Sequence, residues 1–352
     1  MKRTGKSGES SSGLFRVAVV GAASLKGKEI KDVLSDRNFP TDDVKLLDDE
    51  DSLGQMEAVG DEPTFIQQLT AEQMEDVDFT FYASDEDYTA RTWQMAKDAG
   101  SEIIDLSYAL EDQQGAVLRA PLVERELGQQ QKVELKTAPV VVAHPAAVVL
   151  ALLLARVKKV RDIRHCIAVV SEPASEFGKL GMDELHDQTV NLLSFQQLPT
   201  SVFGTQVAFN VGNVYGEGIG PSLRDTEGRI IDHFRRITSG RLPVPSLMLL
   251  HAPVFHAHTF SIYIELASPS DQNEIQAALS GEHVLIAHAP EDEPSNVNVA
   301  GADDIQVSVR QDEQRPNGIW IWVAADNLRI TATMAVNCAE EMIATRPRGQ
   351  VQ

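Results

Sequence analysis

Residues 15–30, FRVAVVGAASLKGKEI, have the pattern of a strand, a glycine turn and the start of a helix. The β-branched run that ends at Gly21 is typical of a strand buried on both faces. Gly21 and Gly27 suit the tight bend and the close helix–strand contact of a dinucleotide-binding turn. Ser24 stands where such a turn has its central glycine, so a plain strand–helix turn is the alternative interpretation.

The segments after this turn alternate between strands and helices. Strands are predicted at 43–49, 77–84, 102–107 and 140–145, and helices at 24–35 and 85–99. This alternation indicates an α/β fold with a doubly wound parallel sheet of the Rossmann type, which we expect over residues 14–147. Residues 1–13 are mostly Gly, Ser and Lys, and they are predicted to form a disordered tail.

The pattern changes after an apolar helix predicted at 146–157. Long β-rich stretches follow, with few helices between them, and they predict a second α+β domain with a mostly antiparallel sheet at 148–321. The closing segment, 322–352, is predicted to contain a helix that packs back on the first domain.

The chain is strongly acidic. Its 352 residues include 31 Lys and Arg and 52 Asp and Glu, which gives a net charge of −21. A nucleic acid or an anionic membrane is therefore not expected as a partner, because phosphate groups are bound by clustered Lys and Arg. No apolar run reaches the roughly 20 residues of a membrane helix. With only two cysteines and no signal peptide evident, we expect a cytoplasmic protein.

An acidic loop, Asp48-Asp49-Glu50-Asp51-Ser52, follows the second predicted strand. A carboxylate at this place can accept hydrogen bonds from a ribose diol and would repel a 2′-phosphate. If a nucleotide binds, NAD is therefore favoured and NADP disfavoured. A solvated loop in an acidic protein is the alternative interpretation.

Several segments resemble the aspartate-semialdehyde dehydrogenase family, and they occur in the family order across most of residues 14–345. They include VAVVGAASLKGKEI, IIDLSYAL, VVVAHPAAV, GKLGMDELHDQT, APVFHAH and WVAADNLRITATMAV. The resemblance implies a Rossmann-type domain, a second domain for catalysis and dimerisation, and a homodimer. It also implies a role in amino-acid biosynthesis: the NADP-linked reduction of aspartyl phosphate through a cysteine thioacyl intermediate.

The chain departs from the family pattern where the resemblance places the reactive groups. The family's cysteine ends an Asn-Pro-Asn-Cys turn, whereas this chain reads His144-Pro145-Ala146-Ala147. The methyl group of Ala147 cannot act as a nucleophile. Glu111 and His251 stand where the resemblance places anion-binding arginines, and Glu172 stands near the place of a glutamine.

Other positions match the family and take their expected roles from it. His258 matches the acid–base histidine, and Arg229 matches a basic position of the substrate pocket. A packed histidine and a solvated arginine are the alternatives. The expected cofactor-binding positions are Gly21, Ala23, Ser24, Gly27, Asp49, Ser84 and Asn327. A retained scaffold with a missing nucleophile is most similar to the cysteine-less Usg-type paralogues of the family.

Three hypotheses follow from these patterns. One is a non-catalytic paralogue, a pseudoenzyme, that acts as a dimeric binding protein and associates either with itself or with a true dehydrogenase. Another is an active NAD-dependent oxidoreductase with a different substrate and chemistry, which uses His258. The last is a metal site formed by His251, His256 and His258 with Glu172 or His165, although histidines on a strand without cysteine make a metal unexpected.

Overall fold

The computed structural model describes residues 13–59, 62–129 and 138–345. The predicted tail, apart from Gly13, lies outside the described residues, as does 346–352 at the end of the predicted closing segment. Within the described ranges, no helix is both long enough and apolar enough to cross a membrane.

The first half of the chain contains a seven-stranded parallel sheet, which confirms the predicted Rossmann-type fold. The strands of this half are β1 (Phe15–Val20), β2 (Thr41–Asp48), β3 (Met56–Val59), β4 (Glu62–Phe65), β5 (Gln67–Gln68), β6 (Phe79–Tyr82), β7 (Glu102–Asp105), β8 (Val117–Arg119) and β9 (Val140–Val142). The sheet order is β5-β2-β1-β6-β7-β9-β8, while β3 and β4 form a separate hairpin.

Three helices accompany this sheet: α1 (Leu25–Asp36), α2 (Glu86–Asp98) and α3 (Pro121–Glu126). The turn between β1 and α1 requires its two glycines. Gly21 has a φ of 81°, and a Cβ there would collide with the backbone of Ser84. A Cβ on Gly27 would collide with the carbonyl oxygen of Gly21. The two glycines therefore bring α1 against the ends of β1 and β6.

The second half of the chain contains a six-stranded mixed sheet in the order β11-β10-β12-β15-β14-β13. Its strands are β10 (Ile163–Glu172), β11 (Ser246–His251), β12 (His258–Leu266), β13 (Val284–Ile286), β14 (Ile305–Gln311) and β15 (Gly318–Ala325). Three of its five pairings are antiparallel, as predicted. The helices of this half are α4 (Pro145–Val160), α5 (Gly178–Leu193), α6 (Leu223–Thr238), α7 (Gln272–Leu279) and α8 (Asn327–Thr345).

The two faces of the second sheet have different surroundings. Phe260, Ile262 and Ile264 share one face of β12 and are buried in the core. The opposite face carries the exposed apolar side chains. Strand register places Ile167 with Trp320 in one row across the strands and Met248 with Trp322 in the next. Ile167 and Met248 are each about half exposed, at 51% and 50%.

The closing helix, α8, packs against the first half of the chain. The guanidinium of Arg37, which follows α1, donates a hydrogen bond of 2.5 Å to Asn337. Arg329 forms ion pairs with Glu29 and Asp36 of α1, at 3.2 and 2.6 Å. These contacts join α8 to α1. The buried region between the two sheets, where the loop after β7, the start of α4 and the start of β12 meet, is called the cleft below.

Candidate functional site

Three aromatic rings mark the cleft between the two sheets. The Tyr108 ring lies parallel to the His144 ring, with 5.8 Å between their centroids, and the His144 and His258 centroids are also 5.8 Å apart. Lys26, in the first turn of α1, places Nζ 5.0 Å from the centroid of the Tyr108 ring. The cleft therefore brings together α1, the loop after β7, the start of α4 and the start of β12.

The start of α4 is built around His144. Its Nδ1 accepts a hydrogen bond of 3.2 Å from the backbone N–H of Ala146, and Pro145 follows as the first helical residue. Burial lowers the pKa of His144 well below its ordinary value, so the imidazole is neutral and can accept this bond. Ala147 lies in the same first turn and is fully buried. The turn thus presents a methyl group where the resemblance implies a thiolate.

Glu111 contacts two residues of α6, through an ion pair with Arg229 and a hydrogen bond with His233. Its carboxylate accepts hydrogen bonds from Nε of Arg229 at 3.1 Å and from Nε2 of His233 at 2.9 Å. The Nδ1 of His233 accepts the backbone N–H of His144 at 3.0 Å, which leaves the ring proton on Nε2. Burial opposes the ionisation of Glu111, but His233 and Arg229 outweigh it and lower its pKa. A negative charge is therefore fixed at this position.

The ring of Tyr108 contacts two cationic side chains of the cleft, those of Arg229 and Lys26. Arg229 lies over its ring, 4.9 Å from the centroid, in addition to the Lys26 contact. Tyr108 has a φ of 73°, and its buried hydroxyl has no hydrogen-bond partner among the described residues. Lys26 donates a hydrogen bond of 2.9 Å to the carbonyl oxygen of Leu106, and burial lowers the pKa of its amine.

Three buried polar residues form a row across the second sheet, defined here as the His251–Glu172–His258 row. Glu172 pairs with His251 in the β10–β11 register. Ser171 pairs with Thr259 in the antiparallel β10–β12 register, so the next position places His258 opposite Glu172. Neighbouring residues of this kind lie on the same face of the sheet, about 5 Å apart. The row lies at the edge of the sheet that faces His144.

Each residue of this row has one buried polar atom without a hydrogen-bond partner in the described part of the chain: Nδ1 of His251, Oε2 of Glu172 and Nε2 of His258. Burial, together with the nearby charge of Glu176, raises the pKa of Glu172 to about 8, and a hydrogen bond from Tyr215 opposes this effect. Burial also lowers the pKa of His251 and of His258. At neutral pH the row is therefore mainly uncharged.

The residues that enclose the row come from three segments. The Tyr215 hydroxyl donates to Oε1 of Glu172 at 2.9 Å, and the Tyr215 ring stacks on His251 with centroids 5.5 Å apart. Glu176 lies 3.7 Å from Nε2 of His258, which is too long for a hydrogen bond. Asn327 donates to Glu176 at 2.8 Å and accepts the backbone N–H of Ala257 at 3.2 Å. Its amide therefore fixes the loop before β12.

The glycine turn carries its own polar contacts. Ser24 caps α1 by accepting the N–H of Gly27 at 2.9 Å, and its hydroxyl donates to the carbonyl oxygen of Ala83 at 2.9 Å. The Ala23 N–H donates to the carboxylate of Asp48 at 2.9 Å. The turn therefore has the close approach and the helix N-terminus that a dinucleotide needs.

Two predicted cofactor positions lie at the edges of this turn. The Asp49 carboxylate accepts the backbone N–H groups of Asp51 and Ser52, both at 3.2 Å, so Asp48 is the acidic residue that contacts the turn. The Ser84 hydroxyl forms a hydrogen bond of 2.8 Å with Thr89, while the Ser84 backbone packs on Gly21.

The geometry does not support the alternative of a metal site. His256 and His258 were expected on one face of a strand, but β12 begins at His258, and Ala257 has a φ of 74°. His165 is exposed and lies toward the other end of β10 from Glu172. Within the described ranges, no group of three His, Cys, Asp or Glu side chains is placed to hold an ion.

The structure brings the predicted site residues together in three groups. Glu111 is paired with Arg229. Ala147 lies in the first turn of α4, after His144, whose ring contacts that of His258. His251 pairs with Glu172 rather than with Arg229. Sequence reasoning missed several residues of the cleft: Lys26, Tyr108, His144, Glu176, Tyr215 and His233. Only His144 had a usable signal, because its position directly before Pro145 suits a helix cap.

Comparisons with known proteins agree with this architecture. Residues 16–131 match the family model described as "Semialdehyde dehydrogenase, NAD binding domain", and residues 154–330 match "Semialdehyde dehydrogenase, dimerisation domain". The aspartate-semialdehyde dehydrogenase of Rickettsia bellii is 28% identical over 338 residues, which cover 94% of this chain and 98% of that protein. A USG-1 protein homolog of Azotobacter vinelandii is 29% identical over 332 residues, with 93% and 97% covered.

Solved structures give the same result. A probable aspartate-semialdehyde dehydrogenase from Pseudomonas aeruginosa has a TM-score of 0.82 at 26% identity, with 94% of this chain and 99% of that chain covered. Aspartate semialdehyde dehydrogenase II from Vibrio cholerae has a TM-score of 0.83 at 24% identity, with 95% and 100% covered, and supports the fold. Both halves of the chain thus match by sequence and by structure, and the chain belongs to the aspartate-semialdehyde dehydrogenase family.

Proposed function

We propose that this protein is a dimeric family member that does not perform the thioacyl chemistry of aspartate-semialdehyde dehydrogenases and that retains a site for NAD. The observation that carries the proposal is Ala147, which is fully buried in the first turn of α4, the turn that His144 caps. Neither cysteine is a substitute. Burial raises the pKa of the Cys166 thiol to about 12 and also raises that of Cys338, so neither side chain is a thiolate near neutral pH.

The pairing of Glu111 supports the same proposal. A phosphorylated substrate needs a cationic pocket, and Arg229 already has carboxylate partners in Glu111 and Glu86, at 3.1 and 3.0 Å. A phosphate that approached Arg229 would have to displace Glu111 and would be repelled by it. Glu111 therefore supplies the negative charge beside Arg229 that a substrate phosphate would otherwise supply.

The turn in the first half of the chain suits a nucleotide, because Gly21 and Gly27 let α1 pack directly on the ends of β1 and β6 and so bring its N-terminus to the turn. Gly21, Ala23, Ser24 and Gly27 would hold the pyrophosphate at the N-terminus of α1. Asp48 and Asp49 would favour the ribose of NAD over the 2′-phosphate of NADP. NAD supplies hydride transfer when it is bound.

A two-part experiment tests this function. The purified protein is assayed for turnover of aspartyl phosphate and of aspartate semialdehyde with NAD and with NADP, and it is titrated with both nucleotides by calorimetry. We expect no turnover, and tighter binding of NAD than of NADP. Turnover at family-like rates would refute the loss of thioacyl chemistry, and an absence of nucleotide binding would refute the retained cofactor site.

An active oxidoreductase with altered chemistry is the second candidate. It is favoured by His258, whose Nε2 is buried, unpartnered among the described residues and 5.8 Å, ring to ring, from His144 at the start of α4. An imidazole in this state can exchange a proton with a carbonyl oxygen during hydride transfer. NADH oxidation in the presence of uncharged aldehydes, lost on His258→Gln substitution, would establish this activity.

The assembly and location that we propose follow from the family and the surface. The exposed Ile167, Met248, Trp320 and Trp322 give the second sheet a face suited to a homodimer, as the matched dimerisation domain indicates. A mixed dimer with a true dehydrogenase would use the same face.

We propose a cytoplasmic location, which fits two buried cysteines that form no disulfide.

A further inference from the structure

We propose that the His251–Glu172–His258 row binds an uncharged hydrogen-bonding group, of which a primary carboxamide is the best match. This inference rests on the proposed function, because it concerns the ligand of a cleft that no longer performs thioacyl chemistry. The row supplies three polar atoms on one face of three adjacent strands, and all three lack partners among the described residues. A buried polar group without a hydrogen-bond partner lowers the stability of a protein by roughly 1–3 kcal/mol. A ligand that supplies partners for these atoms removes that cost and therefore binds favourably.

The charges around the row select the class of ligand. Its nearest charged neighbour in the described contacts is the Glu176 carboxylate, 3.7 Å from His258. The cations of the cleft are engaged elsewhere: Arg229 with Glu111 and Lys26 with the carbonyl oxygen of Leu106. An anionic ligand would therefore meet a carboxylate and no available cation, whereas an ammonium ion has only donors and cannot accept the proton of a neutral Glu172.

A carboxamide matches the hydrogen-bonding capacity of the row. The Tyr215 hydroxyl donates to Oε1 of Glu172, which leaves the acid proton on Oε2 as a donor. That proton can bond to the amide oxygen, and the amide nitrogen can donate to a neutral imidazole of His251 or His258. The row therefore offers both a donor and acceptors, as a carboxamide requires.

The segment 202–216, between α5 and α6, covers the row at His251 and Glu172. The backbones of Gly212 and His251 exchange two hydrogen bonds, of 3.3 and 2.8 Å. A Cβ on Gly212 would collide with the imidazole of His251, so the glycine lets this segment close on the ring. Phe203 and Tyr215 anchor the segment on Phe177 in a small apolar cluster separate from the main core. A ligand enters when this segment moves outward.

The test compares three small probes that share a chain length and differ in charge: butyramide, butyrate and butylamine. Binding to the full-length protein is measured by saturation-transfer NMR titration at pH 6.5 and pH 9. We expect butyramide to bind most tightly at pH 6.5. We expect about tenfold weaker binding at pH 9, because a Glu172 with a pKa of about 8 is then mostly ionised. The groups that face it are Tyr215, His251, His258 and Glu176. Burial raises the pKa of Tyr215 and lowers the pKa of both histidines, so these three groups stay mainly uncharged between pH 6.5 and pH 9.

Two variants separate binding from folding. Glu172→Gln keeps the shape and a donor, so butyramide binding is expected to persist and to lose its dependence on pH between 6.5 and 9. His251→Arg adds a cation to the row, and the preference is expected to change from butyramide to butyrate. Equal or tighter binding of butyrate by the unchanged protein, or binding of none of the three probes, would overturn the proposal. Turnover of aspartyl phosphate would instead refute the proposed function, whichever probe binds.

Discussion

The carboxylate of Glu111 lies 2.9 Å from Nε2 of His233, and this contact joins the first sheet to α6. His233 is fully buried, and its other ring nitrogen accepts the backbone N–H of His144. The interaction therefore holds three parts of the cleft in one arrangement: the loop after β7, α6 and the start of α4. The predictions below begin with this contact.

Removing the charge of Glu111 is expected to destabilise the fold. Glu111→Gln leaves Arg229 and His233 without a carboxylate at this position, and we expect a loss of about 1–3 kcal/mol in the free energy of unfolding at pH 7. The matched control is Glu86→Gln, which removes the half-exposed partner of the same arginine and should cost less than about 1 kcal/mol. Urea denaturation measures both, and equal losses would contradict the role given to Glu111.

The stability lost in Glu111→Gln is expected to depend on pH, with a sign that follows from the pKa of Glu111. The folded-state pKa of Glu111 is lowered from 4.5, so its contribution to stability is present above that value and disappears as the pH falls through the folded pKa. The difference between the unchanged protein and Glu111→Gln should therefore shrink at acid pH.

Glu172 should show the opposite dependence. Its folded-state pKa of about 8 lies above the unfolded value of 4.5, so the folded protein holds an extra proton between these limits. Its contribution to stability then falls as the pH rises, by at most about 1.4 kcal/mol per pH unit. Glu172→Gln, which stays neutral, should become progressively more stable than the unchanged protein from pH 5 to pH 8. Parallel stability curves for the two proteins would rule out a raised pKa.

Restoring the thiol alone is not expected to restore activity. In Ala147→Cys the sulfur would lie in the first turn of α4, but Glu111 would still neutralise Arg229 and the row would still lack a cation. We expect turnover of aspartate semialdehyde to remain at background in the single variant. Adding Glu111→Arg and His251→Arg should raise it by more than the sum of the separate effects, because the groups act on one substrate. Family-like rates from Ala147→Cys alone would show that the anion pocket is still functional.

The dimer is expected to depend on the exposed face of the second sheet. Ile167→Glu places a charge in the centre of that face and should shift sedimentation from dimer to monomer. Leu53→Glu changes a side chain of similar exposure, 54%, in the loop that follows β2 and should leave the dimer intact. A dimer that survives Ile167→Glu would place the interface elsewhere.

Much of the fold could be predicted because its signals are local in sequence. The β-branched run before Gly21 defines a strand, and the caps at Ser24 and Asp85 each define a helix, by signals that span only a few residues. The buried face of β12 could not be predicted in this way. Alternation shows that Phe260, Ile262 and Ile264 share a side, but only the packing of helices against that side shows that it is the buried one.

The site was less predictable because its contacts join distant residues. Tyr215 lies in a segment without helical or strand periodicity, and its role comes from a glutamate 43 residues earlier. Lys26 follows a helix cap as an ordinary polar residue, yet its amine reaches a carbonyl oxygen 80 residues away. Sequence patterns contain neither relationship, since both depend on how β7, β10 and α1 meet in three dimensions.

The pairing of Glu111 with Arg229 and His233 also sets the order in which substitutions can change this cleft. A return to an anion-binding pocket has to remove Glu111, and that first step costs stability before any substrate phosphate can compensate for it. A thiol at position 147 is expected to give no activity until Glu111 has been replaced and that loss of stability has been tolerated. From this sequence, an anion-binding pocket is therefore reached only through a variant that is less stable than the present protein.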